Sequence, residues 1–131
     1  MRTVIALTGI LSLFYFNNVY SETSEFYGIV SKVSDGDTIH VLHENKTTKI
    51  RLSHIDAPER KQTHGRKSQK FLENMILNKS VTVECKMKNG KWYRGFYGRP
   101  ICNIYLYEIN SPTYINAKMI KSGNAWVYKS E

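Results

Sequence analysis

Tyr27-Gly-Ile-Val-Ser-Lys-Val33, Thr38-Ile-His-Val-Leu42 and Lys49-Ile-Arg-Leu-Ser-His54 decide the fold. Each is a short run rich in apolar, β-branched and aromatic residues and bounded by turn formers, which is the composition of a strand. Ser34-Asp-Gly-Asp37 separates the first two runs, and His43-Glu-Asn-Lys-Thr47 separates the second from the third. Three strands with connections this short predict an antiparallel meander.

Downstream the period changes. Phe71, Leu72, Met75 and Ile76 recur at helical spacing within Arg66 to Leu77, and Asn78 and Lys79 supply stop signals. Val81-Thr-Val-Glu-Cys85 and Ile101-Cys-Asn-Ile-Tyr-Leu-Tyr107 return to strand composition, separated by a basic, glycine-containing loop over 86–100. A second short helix is predicted near Asn116 to Ser122, with Asn116 as its cap and Gly123 closing it. Five strands in the order three, helix, two favour a small closed barrel over an open sheet. The expected fold is α+β, mainly β: a five-stranded oligonucleotide-binding (OB) barrel with two or more small helices.

The rest of the composition fits one such domain. The chain has 131 residues, 41% hydrophobic and 23% charged, which excludes a disordered or fibrous protein. Lys and Arg number 19 against 11 acids, a formal charge of +8, spread along the chain without a block. A folded basic surface of this kind attracts polyanions, either nucleic acid or anionic lipid. From Thr3 to Ser21 there is no charge, and Val4 to Phe16 is a mostly apolar run of 13 residues behind Arg2. That pattern predicts a secretory signal peptide over 1–21. An uncleaved membrane anchor is the rival reading, but a bilayer needs about 20 apolar residues. Membrane association is expected only if this segment is retained. Residues 22–131 then form the exported domain, carrying +7, secreted or periplasmic. In such a compartment Cys85 and Cys102 can form a bridge; two small buried thiols are the alternative.

Three clusters carry chemistry. Asp35-Gly36-Asp37-Thr38 joins the first two strands; Arg51 to Glu59 reads Arg-Leu-Ser-His-Ile-Asp-Ala-Pro-Glu; Tyr97-Gly98-Arg99 precedes the last strand. Separately they read as a turn, a surface ion network and a second turn. Together they have one chemical interpretation. Asp37, Asp56 and the Ala57 carbonyl, whose direction Pro58 constrains, make an all-oxygen set suited to a hard cation such as Ca²⁺. Arg51 and Arg99 can grip a phosphodiester and neutralise charge that grows in displacement at phosphorus. Glu59 is left to orient or deprotonate a water.

These three motifs, in this order and approximate spacing, resemble the staphylococcal (micrococcal) nuclease, or thermonuclease, family over about residues 26–128. Ile115-Asn116 and Ser122-Gly-Asn-Ala125 resemble its last shared helix and the exit from it. The resemblance implies a Ca²⁺-dependent nuclease that cuts DNA and RNA with little sequence preference and leaves 3′-phosphate ends. It implies catalytic roles for Arg51, Glu59 and Arg99, metal binding by Asp37, Asp56 and the main chain of Ala57, and phosphate contact by Tyr97. Ala57 stands where the family often has Thr, a change that a main-chain ligand tolerates. Residues 60–65 form a shorter loop than in the type enzyme, and Phe96 replaces a phosphate-contacting lysine. The residues end at Glu131, before a long C-terminal helix found there. These departures bear on substrate preference, affinity and stability.

Other residues are expected to be structural. His40, His43, His54 and His64 have no ligand spacing. Tyr105 and Tyr107 alternate on one strand, Trp126 is expected in the core, and Trp92 and Tyr93 lie among Lys86, Lys88, Lys91 and Arg94, where they can touch nucleic acid or pack the loop. The expected partners are DNA and RNA substrates, with a monomeric protein and no protein partner implied. The competing function is a non-catalytic nucleic-acid-binding OB module, which would dispense with the five catalytic and metal-binding side chains present here.

Overall fold

A computed structural model describes residues 22–109 and 111–129. The predicted signal segment, 1–21, lies outside them. The strands are β1 (Thr23–Asp35), β2 (Thr38–His43), β3 (Lys46–Leu52), β4 (Ile55–Asp56), β5 (Ser80–Lys88), β6 (Lys91–Trp92), β7 (Ile101–Glu108), β8 (Ser111–Tyr114) and β9 (Trp126–Val127). The helices are α1 (Gly65–Ile76), between β4 and β5, and α2 (Ile115–Lys121), between β8 and β9.

The main sheet runs β6-β5-β1-β2-β3-β7-β8, and β7 also pairs with β5. The strands β5, β1, β2, β3 and β7 therefore close into a five-membered ring, the OB-like α+β architecture expected from the sequence. β1 serves two neighbours. Residues 23–29 pair with β5, and residues 29–35 pair with β2. The ladder with β2 shifts register between Val30 and Lys32, so Val30 and Val33 both face the core where strict alternation would turn one outward. The Val30 backbone groups at this bulge bond Lys79 O (3.1 Å) and Asn78 N–H (2.8 Å), tying the exit of α1 to the strand. Leu72 and Ile76 of α1 are fully buried against the barrel, with Phe71 and Met75 beside them, the face its periodicity predicts.

Several local expectations are corrected. The β2–β3 turn is only Glu44-Asn45, both at positive φ (48° and 62°), a two-residue hairpin with Asn rather than Gly in a left-handed position. β3 consequently starts at Lys46. The third strand does not run through to His54: it stops at Leu52, His54 turns the chain at φ 63°, and Asp56 sits on the separate strand β4. The basic loop after β5 contains a hairpin, with β6 folding back onto Met87–Lys88. Asn116 is not a cap. Tyr114 holds the N-cap position of α2, and Asn116 is buried inside the helix. Its side chain accepts from Ile104 N–H (3.0 Å) and donates to Ser53 O (3.0 Å) and Cys102 O (3.2 Å), fastening α2 to the β3–β7 junction. Trp126 is not in the core either; it is 52% exposed on β9.

Cys85 and Cys102 face each other across the β5–β7 ladder and form a disulfide, both fully buried. The sequence separation is 17, and a loop of that size is worth about 3 kcal/mol in chain entropy. The double variant Cys85→Ala/Cys102→Ala should lose about that much unfolding free energy in a denaturant titration. Equal stability of the oxidised protein and the double variant would show that the ladder alone closes the ring.

Candidate active site

The turn between β1 and β2, the end of β3, the segment after β4 and the loop before β7 meet around one cleft of about 680 Å³. Asp37, Arg51, Asp56, Ala57, Glu59, Tyr97 and Arg99, the seven residues singled out from the three motifs, all line it. None of the four histidines does.

Asp37 is the anchor. Gly36 beside it is packed so tightly that a Cβ there would collide with the Ser68 hydroxyl and press on the Ala57 methyl. Absence of a side chain thus lets the turn dock on α1 and aims Asp37 inward. The buried Asp37 carboxylate accepts from the Thr38 hydroxyl (2.8 Å), from Ala57 N–H (2.9 Å) and from Arg51 Nη1 (3.0 Å). A carboxylate offers about four lone-pair sites, so room remains for one further positive partner. Arg51 also donates to Ile55 O (2.9 Å), lies 3.5 Å from the Asp56 carboxylate and stacks over the Tyr128 ring at 5.5 Å. Burial and then the neighbouring Asp37 charge push the Asp56 carboxyl above the usual aspartate range, against the pull of Arg51.

Two adjacent carboxylates with lone pairs to spare, all oxygen, fit a hard cation. Among the described residues no group of three His, Cys, Asp or Glu side chains forms a metal cluster. Further ligands would therefore be main-chain, water or substrate oxygens.

Arg99 and Glu59 are held differently. Arg99 donates to the Thr38 hydroxyl (2.8 Å) and lies 5.6 Å over the Tyr97 ring. Thr38 thereby bridges the Asp37 carboxylate and the Arg99 guanidinium. Glu59 is pinned through its backbone. Its N–H donates to the Gln62 side chain and its carbonyl accepts from Gln62 N–H, both 2.8 Å. A Cβ on Gly65 would strike that same carbonyl, so the first residue of α1 has to be small for the Glu59 loop to sit where it does. The next residue, Arg60, donates its N–H to Asp35 (2.9 Å). The Glu59 carboxylate itself is exposed and takes no partner among the described residues.

Thr38, Asp35, Arg94 and Tyr128 are further neighbours of the cleft that the sequence did not single out for these positions. Thr38 stood inside a quoted motif. Tyr128 carried no signal, because its place in the cleft comes only from its N–H bond to His54 O (2.9 Å) after β9. Trp92, considered for nucleic-acid contact, is stacked on Phe26 at 5.5 Å and packs against the core, whereas Tyr93 lines the cleft.

The family model of staphylococcal nuclease homologues matches residues 49–131. The chain belongs to that family. It is 37% identical to an uncharacterized endonuclease of Haemophilus influenzae, over 95% of this chain and 65% of the relative. An uncharacterized endonuclease of Escherichia coli is also 37% identical, over 81% of this chain and 63% of its own length. A micrococcal nuclease of Shigella flexneri is 34% identical, over 81% and 60%. The chain thus spans a little under two thirds of the length of these nuclease-family relatives.

The geometry gives Arg51 a structural role. Its side chain is 14% exposed and that of Asp37 9%. Arg51→Ala would leave a buried carboxylate without its cation, a loss of about 3–5 kcal/mol. Arg99→Ala removes a bond to a hydroxyl and a contact with the exposed Tyr97 ring, and should cost about 1 kcal/mol. Thermal or denaturant unfolding of the two variants checks the contrast, and equal losses would contradict it.

Proposed function

We propose that this chain is a Ca²⁺-dependent nuclease that hydrolyses phosphodiester bonds of DNA and RNA with little sequence preference, leaving 3′-phosphate ends. One observation carries the reading: two arginines, a partnerless glutamate and two adjacent aspartates converge on a single open cleft. Relatives named endonuclease and micrococcal nuclease support the same chemistry.

In this reading Asp37, Asp56 and the Ala57 carbonyl would hold a Ca²⁺ ion. When bound, the ion supplies a hard positive charge toward a phosphate oxygen. Arg99 and the remaining donors of Arg51 hold the phosphate and balance the charge that builds on its oxygens. Thr38 keeps Arg99 in place. Glu59, exposed and unpartnered, accepts a proton from the attacking water or orients it. The bond from phosphorus to the 5′ oxygen breaks, and the phosphate stays on the 3′ side. Tyr97 contacts the phosphate from the loop before β7.

We further propose that the protein acts outside the cytoplasm, after removal of 1–21. The charge-free apolar run in that segment and the Cys85–Cys102 disulfide both support export, since disulfides persist in oxidising compartments.

Plasmid nicking tests the function directly. Cleavage should appear with Ca²⁺ and vanish in excess chelator. Glu59→Gln and Arg99→Ala should each lower turnover by about 10²–10⁴-fold, the scale of proton-transfer and oxyanion contributions, without loss of fold. Plasmid binding with no cleavage by the wild-type chain under Ca²⁺ would instead identify a binding module. A folded Arg99→Ala protein with wild-type turnover would remove that residue from the mechanism.

A further inference from the structure

The cleft described above is a poor attractor for a polyanion. Asp35, Asp37, Asp56 and Glu59 line it against Arg51, Arg94 and Arg99, so before any cation binds it is net negative. A second cleft adjoins it along the chain. Ala57 and Glu59 line the first cleft and Pro58, between them, lines the second, so one stretch of extended chain is the wall of both. The second cleft has a volume of about 790 Å³ and includes Lys61, His64, Lys67 and Trp126 in its lining, with no carboxylate. Lys61 and Lys67 are exposed, and neither has an ion-pair partner among the described residues. They belong to the run 60–70, which holds five Lys and Arg residues and no acid.

Trp126 is the unusual element. A large aromatic side chain left 52% exposed forgoes much of its burial free energy. Its backbone is not loose, because Trp126 pairs with Asp56 in the β4–β9 ladder. The indole is therefore carried on the strand that pairs with a candidate metal-binding aspartate. An anchored, half-exposed indole flanked by unpaired lysines is the combination that binds single-stranded nucleic acid: a stacking platform for a base with cations along the backbone.

We propose that this second cleft is an extension subsite for an unpaired stretch of nucleic acid, holding nucleotides beyond the scissile phosphate. Trp126 stacks on a base, and Lys61 and Lys67 meet flanking phosphates. The proposal takes its ligand class from the nuclease reading. It assigns the attraction of the substrate to the 60–70 rim and leaves the first cleft to the reaction.

Length dependence of binding tests it. Fluorescently labelled oligothymidylates of two and twelve nucleotides are titrated in chelator, where no cleavage occurs, against wild type, Trp126→Ala, Trp126→Phe and Lys61→Ala/Lys67→Ala. The 12-mer should bind wild type more tightly than the dinucleotide. Trp126→Ala and the lysine pair should each shrink that advantage about tenfold, within the range of stacking one base. Trp126→Phe should restore most of it. The lysine pair should also lower the log–log salt slope of 12-mer binding by about 1.4, for two phosphate contacts on a single strand. An undiminished advantage in both Trp126→Ala and the lysine pair would overturn the subsite. The two readings fail separately: a 12-mer bound through Trp126 yet never cut under Ca²⁺ sinks the nuclease reading alone. Cleavage of the 12-mer with unchanged KM in both variants sinks the subsite alone.

Discussion

The structure depends on a parallel pairing only two residues long. Arg51 pairs with Ile101 and Leu52 with Cys102 where β3 meets β7, and this junction closes the ring. Parallel pairing here joins segments some fifty residues apart in sequence, a loop closure with a substantial entropic cost. The junction is accordingly fastened several times over. Arg51 N–H bonds Pro100 O (2.9 Å), Ser53 N–H bonds Cys102 O (2.8 Å), and the buried Asn116 amide spans Ser53 and Cys102. The disulfide holds Cys102 to the opposite neighbour, β5. Closing the ring is also what builds the site, because it sets Arg99, just ahead of β7, beside the end of β3 that carries Arg51.

Inside that frame the Asp37 carboxylate joins three pieces of chain: its own turn through Thr38, β3 through Arg51, and the segment after β4 through Ala57. A buried anion with three donors is stable only while all three stay in place. The same bonds therefore fix the backbone around Ala57 and the positions of both arginines. A site that must hold like charges together at Asp37 and Asp56 gains from this, since their repulsion is resisted by hydrogen bonds made elsewhere in the fold.

How much of this the sequence discloses depends on the range of the interaction. The five barrel strands, α1 and the three motif clusters are local patterns, and the barrel order follows from them with few alternatives. The exact strand ends are less local. Asn45 in a left-handed position and the β1 bulge near Ser31 are backbone choices made by the closed ring, with no periodic signature in the side chains. Long-range polar contacts leave the least trace. Asn116 has the composition of a helix cap, and only the folded β3–β7 junction turns it into a buried clasp. Trp126 and Trp92 are read in opposite senses for the same reason. Trp92, whose basic neighbours leave nucleic-acid contact and loop packing both open, stacks on Phe26, whereas Trp126, expected in the core, is exposed on β9.

The distribution of charge follows a similar logic of separation. On the proposed reading, a cleft that gathers carboxylates for a cation cannot also be the strongest positive patch on the surface, because each added carboxylate cancels an arginine. Arginines inside the cleft are committed at short range: Arg51 to Asp37 and Ile55, Arg99 to Thr38, Arg94 to the Gly98 carbonyl. Lysines serve better at long range, being flexible, strongly hydrated point charges that lose little by remaining unpaired in water. Arg60, Lys61, Arg66, Lys67 and Lys70 stand on the 60–70 segment, beside the cleft and outside it, where on the proposed reading they draw in a polyanion without competing with the carboxylates for the same atoms. Short, geometrically fixed arginine contacts and a diffuse basic rim are thus two solutions to two different problems, and the fold keeps them in two clefts that meet at the Ala57–Glu59 stretch.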